Sequence, residues 1–368
     1  MLERIRRYFK PDTKRRAVFD WLRVFSCIGI IGLHVTGDRT DALGIGFEAF
    51  FRLWLPMFFL LSGVLILTSE EEESIGAFYL KRIKSVVIPF FIYGAYYTCW
   101  INQGHAILEL PTAESAAQFI RLIPLSWQQT FEGIQYFHLW FMYEIIGLYL
   151  IMPFLKIALR AMNEKTLKIL FLCLMIMMAL QDYLPVFGRV LTIDNYFAKW
   201  LIYLILGYIL MQDFAKRNYF WILVLGYFTY GMALRLKLLH FDIAERVGNY
   251  YDLSPHMILQ VAGVFAAFML LEPILSKWKP VNYVMNRLSK YTFGIYLIHG
   301  YIISWWGVHY GTSNGTVYGT LHTVLFVFLL SLAFAFVFDN VITFNAQRGF
   351  AWFVKAVSKK GKKKEETA

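Results

Sequence analysis

The sequence predicts an all-α fold, a polytopic transmembrane helical bundle of about ten transmembrane helices with both termini cytoplasmic. Three observations predict it. Of 368 residues, 58% are hydrophobic and only 17% charged, with a mean hydropathy of +0.50, outside the balance of a soluble domain. Apolar runs of roughly 17 to 25 residues recur between short polar breaks, the length a helix needs to cross about 30 Å of hydrocarbon. Most of the 36 lysines and arginines fall in alternate breaks, the asymmetry of the positive-inside rule.

The crossings are expected at about 17–36, 48–68, 83–101, 136–159, 166–181, 196–212, 219–238, 256–273, 291–309 and 318–344. The fifth and sixth are the shortest. A basic cytoplasmic segment, 1–16, precedes a membrane-embedded domain, 17–344. A basic tail, 345–368, ends in "KKGKKKEETA". With the N-terminus inside, the cytoplasmic breaks hold Arg4 to Arg16, Lys81 to Lys84, Lys156 to Lys168, Lys216 and Arg217, and Lys277 to Lys290. Topology and attraction to anionic lipid account for the net charge of +11 without nucleic acid. The basic N-terminus lacks a small-residue cleavage pattern and reads as leading into a retained first helix. Cys27, Cys99 and Cys173 lie in or beside apolar spans with no metal spacing, and imply neither a disulfide framework nor a metal site. The longest break, about 102–135, is too short for a soluble domain, so any chemistry belongs to the bundle. The acidic run "SEEEES", Ser69 to Ser74, reads as a solvated turn.

Ionisable groups inside a span are costly and mark candidate sites. Arg23 and His34 both lie in the first span, "DWLRVFSCIGIIGLHV". Eleven positions at 100° each come within about 20° of three full turns, so the two share a helix face, about 16 Å apart along the axis. Taken singly, a snorkelling arginine and an interfacial histidine would explain them. Asp38, one turn beyond His34, can orient or charge the imidazole if the helix continues that far. Asp20, three residues before Arg23, suits an ion pair. The second span carries "PMFFLLSG", Pro56 to Gly63, which allows a kink or close packing. Lys81, Arg82 and Lys84 cluster at the start of the third, where topology or phosphate binding would place cations. "HLWFMYEIIGLYLIMPFL" brings His138, Trp140 and Glu144; an interfacial aromatic belt explains Trp140 but not Glu144. "YTFGIYLIHGY" brings His299, expected to face the bundle interior. No HExxH, Walker A or dinucleotide fingerprint is present, which removes support from metalloproteolysis and ATP hydrolysis.

The order Arg-x10-His, "PMFFLLSG", a basic cluster before "IPF", "HLWFMYEIIGLYLIMPFL" and "YTFGIYLIH" resembles the acyltransferase-3 family of bacterial membrane proteins, over about residues 17–310. The resemblance implies a multi-pass O-acyltransferase of the bacterial cytoplasmic (inner) membrane. It would move an acyl group, often acetyl, from cytoplasmic acetyl-CoA or another acyl-CoA to a hydroxyl of a cell-envelope glycan or lipid-linked sugar. No cofactor would be bound permanently, acyl-CoA being a donor substrate. By the match, His34 is the essential histidine and Arg23 its paired motif residue; chemically His34 would act as general base or acyl acceptor, with Asp38 to hold its tautomer. Arg23, Lys81, Arg82 and Lys84 hold the donor, and His138, Trp140, Glu144 and His299 are candidates for substrate contacts. Many members show arginines at a two-residue gap where this chain has Lys81 and Lys84, and lysine offers phosphate a point charge without the bidentate fork. Two other function classes suit a ten-helix bundle with internal polar groups: a transporter or flippase for a lipid-linked or small polar substrate, and a scaffold or sensor. No corresponding Pro/Gly interruptions mark two inverted halves, which lowers the transport reading.

Overall fold

The computed structural model describes residues 16–37, 41–71, 73–105, 109, 111–133, 136–183, 200–239, 254–311 and 315–365. Helices dominate them and no strand occurs among them. In chain order the α-helices of eight residues or more are α1 (Ala17–Thr36), α2 (Ala42–Arg52), α3 (Trp54–Leu67), α4 (Ile75–Arg82), α5 (Ile88–Cys99), α6 (Ala113–Glu132), α7 (Trp140–Ala161) and α8 (Glu164–Tyr183). Then follow α9 (Leu201–Leu210), α10 (Tyr219–Leu238), α11 (Pro255–Leu275), α12 (Lys279–Leu288), α13 (Thr292–Tyr310), α14 (Val317–Phe338) and α15 (Phe344–Glu365). Six stretches among the described residues are long and apolar enough to cross a membrane: Ala17–Thr36, Ala42–Leu67, Phe137–Ala161, Tyr219–Leu238, Pro255–Leu275 and Val317–Ser358. A multi-pass membrane protein follows. Each of the other four expected spans also contains a helix.

Two expectations change. The second span begins at Ala42, not near residue 48, so Glu48 and Arg52 lie well inside it and not at its start. The break at 102–135, read only as a gap between spans, contains α6, a 20-residue helix with a reciprocal cap between Thr112 and Ser115. Its amphipathic composition falls short of a crossing, yet it packs against α5. Thr98 Oγ1 donates to Gln129 Oε1 at 2.8 Å, and the rings of Phe91 and Phe131 stand 5.1 Å apart edge to face.

The chain divides into two compact units that alternate along the sequence. The first comprises residues 1–68, 162–292 and 313–324, the second 69–161, 293–312 and 325–368. Lipid gives no hydrophobic drive to helix association, so close approach of small residues has to supply packing energy. The first unit is built this way. A Cβ on Gly63 of α3 would lie 2.1 Å from the Leu204 carbonyl oxygen of α9, and one on Gly207 would lie 2.3 Å from that of Leu60. Gly226 of α10 and Gly263 of α11 similarly bring their backbones together. Phe59 stacks on Trp200 at 4.5 Å beside the first of these contacts.

In the second unit two helices widen into π turns, Ile83–Val87 between α4 and α5 and Asp339–Thr343 between α14 and α15. Gln347 Nε2 donates to the carbonyl of Lys84, in the first of them, at 2.9 Å. Tyr93 donates to Asp339 Oδ1 at 3.1 Å, with Phe334 and Phe338 packed on Tyr93 and Tyr96. The basic tail starts as helix, α15 running to Glu365.

Replacing Gly207 with Val should cost about 1 to 3 kcal/mol, because backbone on both sides leaves no room for the branched side chain. Gly46→Ala, where a Cβ meets nothing within 4 Å, should leave stability unchanged or slightly raised. Thermal denaturation of the purified protein in detergent measures both.

Candidate active site

Helix α1 is unbroken from Ala17 to Thr36, so Arg23 and His34 do occupy one face of one helix. The polar groups of its N-terminal half are tied down within the first unit. Arg16, just ahead of the helix, donates to Glu272 of α11 from Nε at 2.8 Å and pairs with it through Nη2. Trp21 Nε1 donates to Asn282 Oδ1 of α12 at 2.7 Å, and Asn282 donates onward to the Leu275 carbonyl at 2.8 Å. Asp20 is buried and accepts from Ser289 Oγ at 2.8 Å and from Asn286 Nδ2 at 3.1 Å. The simple Asp20–Arg23 pair expected from spacing is long, 3.9 Å, because the carboxylate is already committed to those donors. Arg23 keeps 31% of its side chain exposed. The guanidinium therefore lies beside a fixed carboxylate while remaining reachable.

At the other end of α1, His34 is half-buried. Two glycines one turn apart set the packing just before it. A Cβ on Gly29 would lie 2.3 Å from Trp54, and one on Gly32 would lie 2.6 Å from the Phe51 ring, so α2 and α3 seat their aromatics directly on the α1 backbone. The helix stops two residues after His34. Gly37 adopts φ 54° and donates its N–H to the Leu33 carbonyl, while Thr36 Oγ1 turns back to the Gly32 carbonyl at 2.9 Å. Asp38 was placed beside His34 on condition that the helix continued, and it does not; Asp38 itself lies outside the described residues.

Sequence reasoning passed over a charged group in this neighbourhood. Arg52 Nη2 pairs with Glu48 Oε1 at 2.6 Å, the other Glu48 oxygen accepts from Lys237 Nζ of α10 at 2.6 Å, and the Arg52 charge acts on the His34 imidazole. The signal was present in "FEAFFR", opposite charges at i, i+4 inside an apolar run.

In the second unit the basic cluster is partly engaged. Lys81 Nζ stands 3.6 Å from Glu71 and 3.8 Å from Glu73, so the acidic run is a partner of the cluster and not just a solvated turn. Arg82 lies over the rings of Phe78 and Tyr149 at 5.0 and 5.3 Å, and Lys84 is exposed on the π turn. His138 and His299 come together in the interior with ring centroids 4.6 Å apart. His138 Nε2 is 3.3 Å from the Leu297 carbonyl, which also accepts from Tyr97 at 2.8 Å, and His299 Nδ1 is 2.6 Å from the Tyr296 carbonyl. Gly300 makes room for the His138 ring. Trp140 and Glu144 are exposed on α7. A cavity of about 1140 Å³ along α5, α6 and the α14–α15 helix is almost wholly apolar and offers no cation to a phosphate.

A family model described as an acyltransferase domain matches residues 16–339, which include α1, both histidine-bearing helices and the basic cluster. The chain belongs to the acyltransferase-3 family. This acyltransferase is a multi-pass membrane protein whose matched domain takes in nearly the whole chain. No curated protein and no solved structure matches it significantly. Among the described residues of the acyltransferase no group of three or more His, Cys, Asp or Glu side chains is arranged to hold a metal ion.

Asp20→Ala would leave the Ser289 hydroxyl and Asn286 amide without their buried acceptor, a cost of about 1 to 3 kcal/mol. The melting temperature in detergent should fall accordingly, and Asp20→Asn, which keeps one acceptor oxygen, should fall less.

Proposed function

We propose that this membrane acyltransferase moves an acyl group, acetyl above all, from cytoplasmic acetyl-CoA to a hydroxyl of a bacterial cell-envelope glycan or lipid-linked sugar. A bundle of about ten crossings with both termini cytoplasmic, in the inner membrane, gives the donor access from inside. The observation that carries the reading is the single unbroken face of α1, with a reachable guanidinium at one end and a half-buried imidazole about 16 Å further along. That span suits a donor whose charged phosphates and reactive thioester are separated by a long flexible arm. Arg23 holds phosphate by charge-assisted hydrogen bonds. Lys84 and Arg82, together with Lys81 once it leaves its carboxylate partners, offer phosphate the same chemistry in the second unit.

At His34 a neutral imidazole takes the proton of the acceptor hydroxyl as that oxygen attacks the thioester carbonyl, or attacks the carbonyl itself and passes the acyl group on. Both routes end with the CoA thiolate leaving and the imidazole restored. His138, Trp140, Glu144 and His299 remain proposed acceptor contacts, with Trp140 and Glu144 on an exposed face suited to a passing glycan and the two histidines suited to shaping the interior.

Membrane vesicles given radiolabelled acetyl-CoA should transfer label to envelope glycan. His34→Ala should reduce that transfer by at least about a hundredfold at normal protein level. Arg23→Ala should raise the KM for acetyl-CoA about tenfold, the loss of one charge-assisted contact. Undiminished transfer by His34→Ala would remove it from the chemistry, and an unchanged KM would remove Arg23 from the donor.

A further inference from the structure

The charged group formed by Glu48, Arg52 and Lys237 is not used by the chemistry above, and it is expensive to keep. Their side chains are 19%, 18% and 21% exposed, in or at the end of apolar spans where an ion needs an opposite charge to be tolerated. One carboxylate serves two cations, each at 2.6 Å. Lys237 shares the Glu48 charge, so Glu48 orients the Arg52 guanidinium without cancelling it. Arg52 meets Glu48 through Nη2. Packing fixes where the guanidinium is. Phe51 and Trp54 are seated on Gly32 and Gly29, which ties the stretch of α2 bearing Arg52 to the stretch of α1 that ends in His34.

Acyl transfer creates negative charge on the carbonyl oxygen in its transition state, and donors held in place beforehand are what stabilise such charge. We infer that Arg52 is a catalytic residue that receives the developing oxyanion, with Glu48 and Lys237 as its positioning residues. The inference rests on transfer at His34 as proposed above. The acceptor oxygen bonds to the thioester carbon while its proton passes to His34, and the carbonyl electron pair moves onto oxygen beside Arg52. On collapse the C–O double bond re-forms, the C–S bond breaks, and the leaving thiolate takes the proton from His34. No further reactant is needed.

The experiment is initial-rate transfer of radiolabelled acetyl from acetyl-CoA to endogenous acceptor in membrane vesicles, comparing wild type, His34→Ala, Arg52→Met and Arg52→Lys. Arg52→Met should lower kcat about 100- to 1000-fold with the KM for acetyl-CoA within threefold of wild type. Arg52→Lys, which keeps the charge and a partner for Glu48 but not the fork, should lower kcat about tenfold. A kcat within threefold of wild type in Arg52→Met, or a loss confined to KM, overturns the inference. If Arg52→Met fails to accumulate, wild-type kcat in Arg52→Lys overturns it equally. A wild type that transfers no label, or a His34→Ala that does, strikes the proposed function and takes this inference with it; an active wild type and inactive His34→Ala beside normal Arg52 variants strike the inference alone.

Discussion

A charge carried into hydrocarbon must find its partner within the protein, and in the first unit that constraint decides how α1 is held. Asp20 and Trp21 sit on a helix that is otherwise apolar, and each is answered by α12 or the turn after it: Ser289 and Asn286 for the carboxylate, Asn282 for the indole. Arg16 is answered by Glu272 in the same way. These bonds hold the half of α1 that bears Arg23, whose Nη1 stands 3.9 Å from Asp20. The polar anchors are worth a few kcal/mol each at most. Their larger consequence is orientation, because rotating α1 would orphan several buried groups together.

The other half of α1 is positioned by the opposite kind of contact. Gly29 and Gly32 have no side chain to spend on packing, and Trp54 and Phe51 fill the space. Backbone and aromatic ring in direct contact tolerate little sliding. His34 thus sits just beyond a rigid seam, where Glu48 and Arg52 pair along α2 and Lys237 joins them from α10. Function would follow from the two halves together: a reachable cation at one end of a helix that cannot turn, and an imidazole with a fixed guanidinium nearby at the other.

Much of this was legible in the sequence. The all-helical character, a first span at 17–36 and the shared face of Arg23 and His34 follow from hydropathy and from 100° per residue, and the ordered motifs pointed to the family that the match over 16–339 then showed. Part of what was missed depends on partners distant in sequence. Asp20 looked like the partner of Arg23 because Ser289 and Asn286 are more than 260 positions away. Lys81 looked available because a carboxylate's reach across a turn, from Glu71 and Glu73, is not a matter of spacing. Helix α6 escaped because apolar length was the only criterion applied between 102 and 135, and its amphipathic face needs α5 to explain it. Asp38 was assigned on the assumption of a continuing helix, while Gly37 was the residue that signalled its end.

The central claim is that this chain places acyl groups on envelope glycans through His34. Mass spectrometry of envelope glycans tests it most directly, comparing a strain deleted for the gene with the same strain complemented by wild type or by His34→Ala. The account predicts an acyl substituent, a mass increment of one acetyl group or a homologue, that disappears on deletion, returns with wild type and stays absent with His34→Ala. Glycan profiles that are identical in all strains, or an increment restored by His34→Ala, would contradict it.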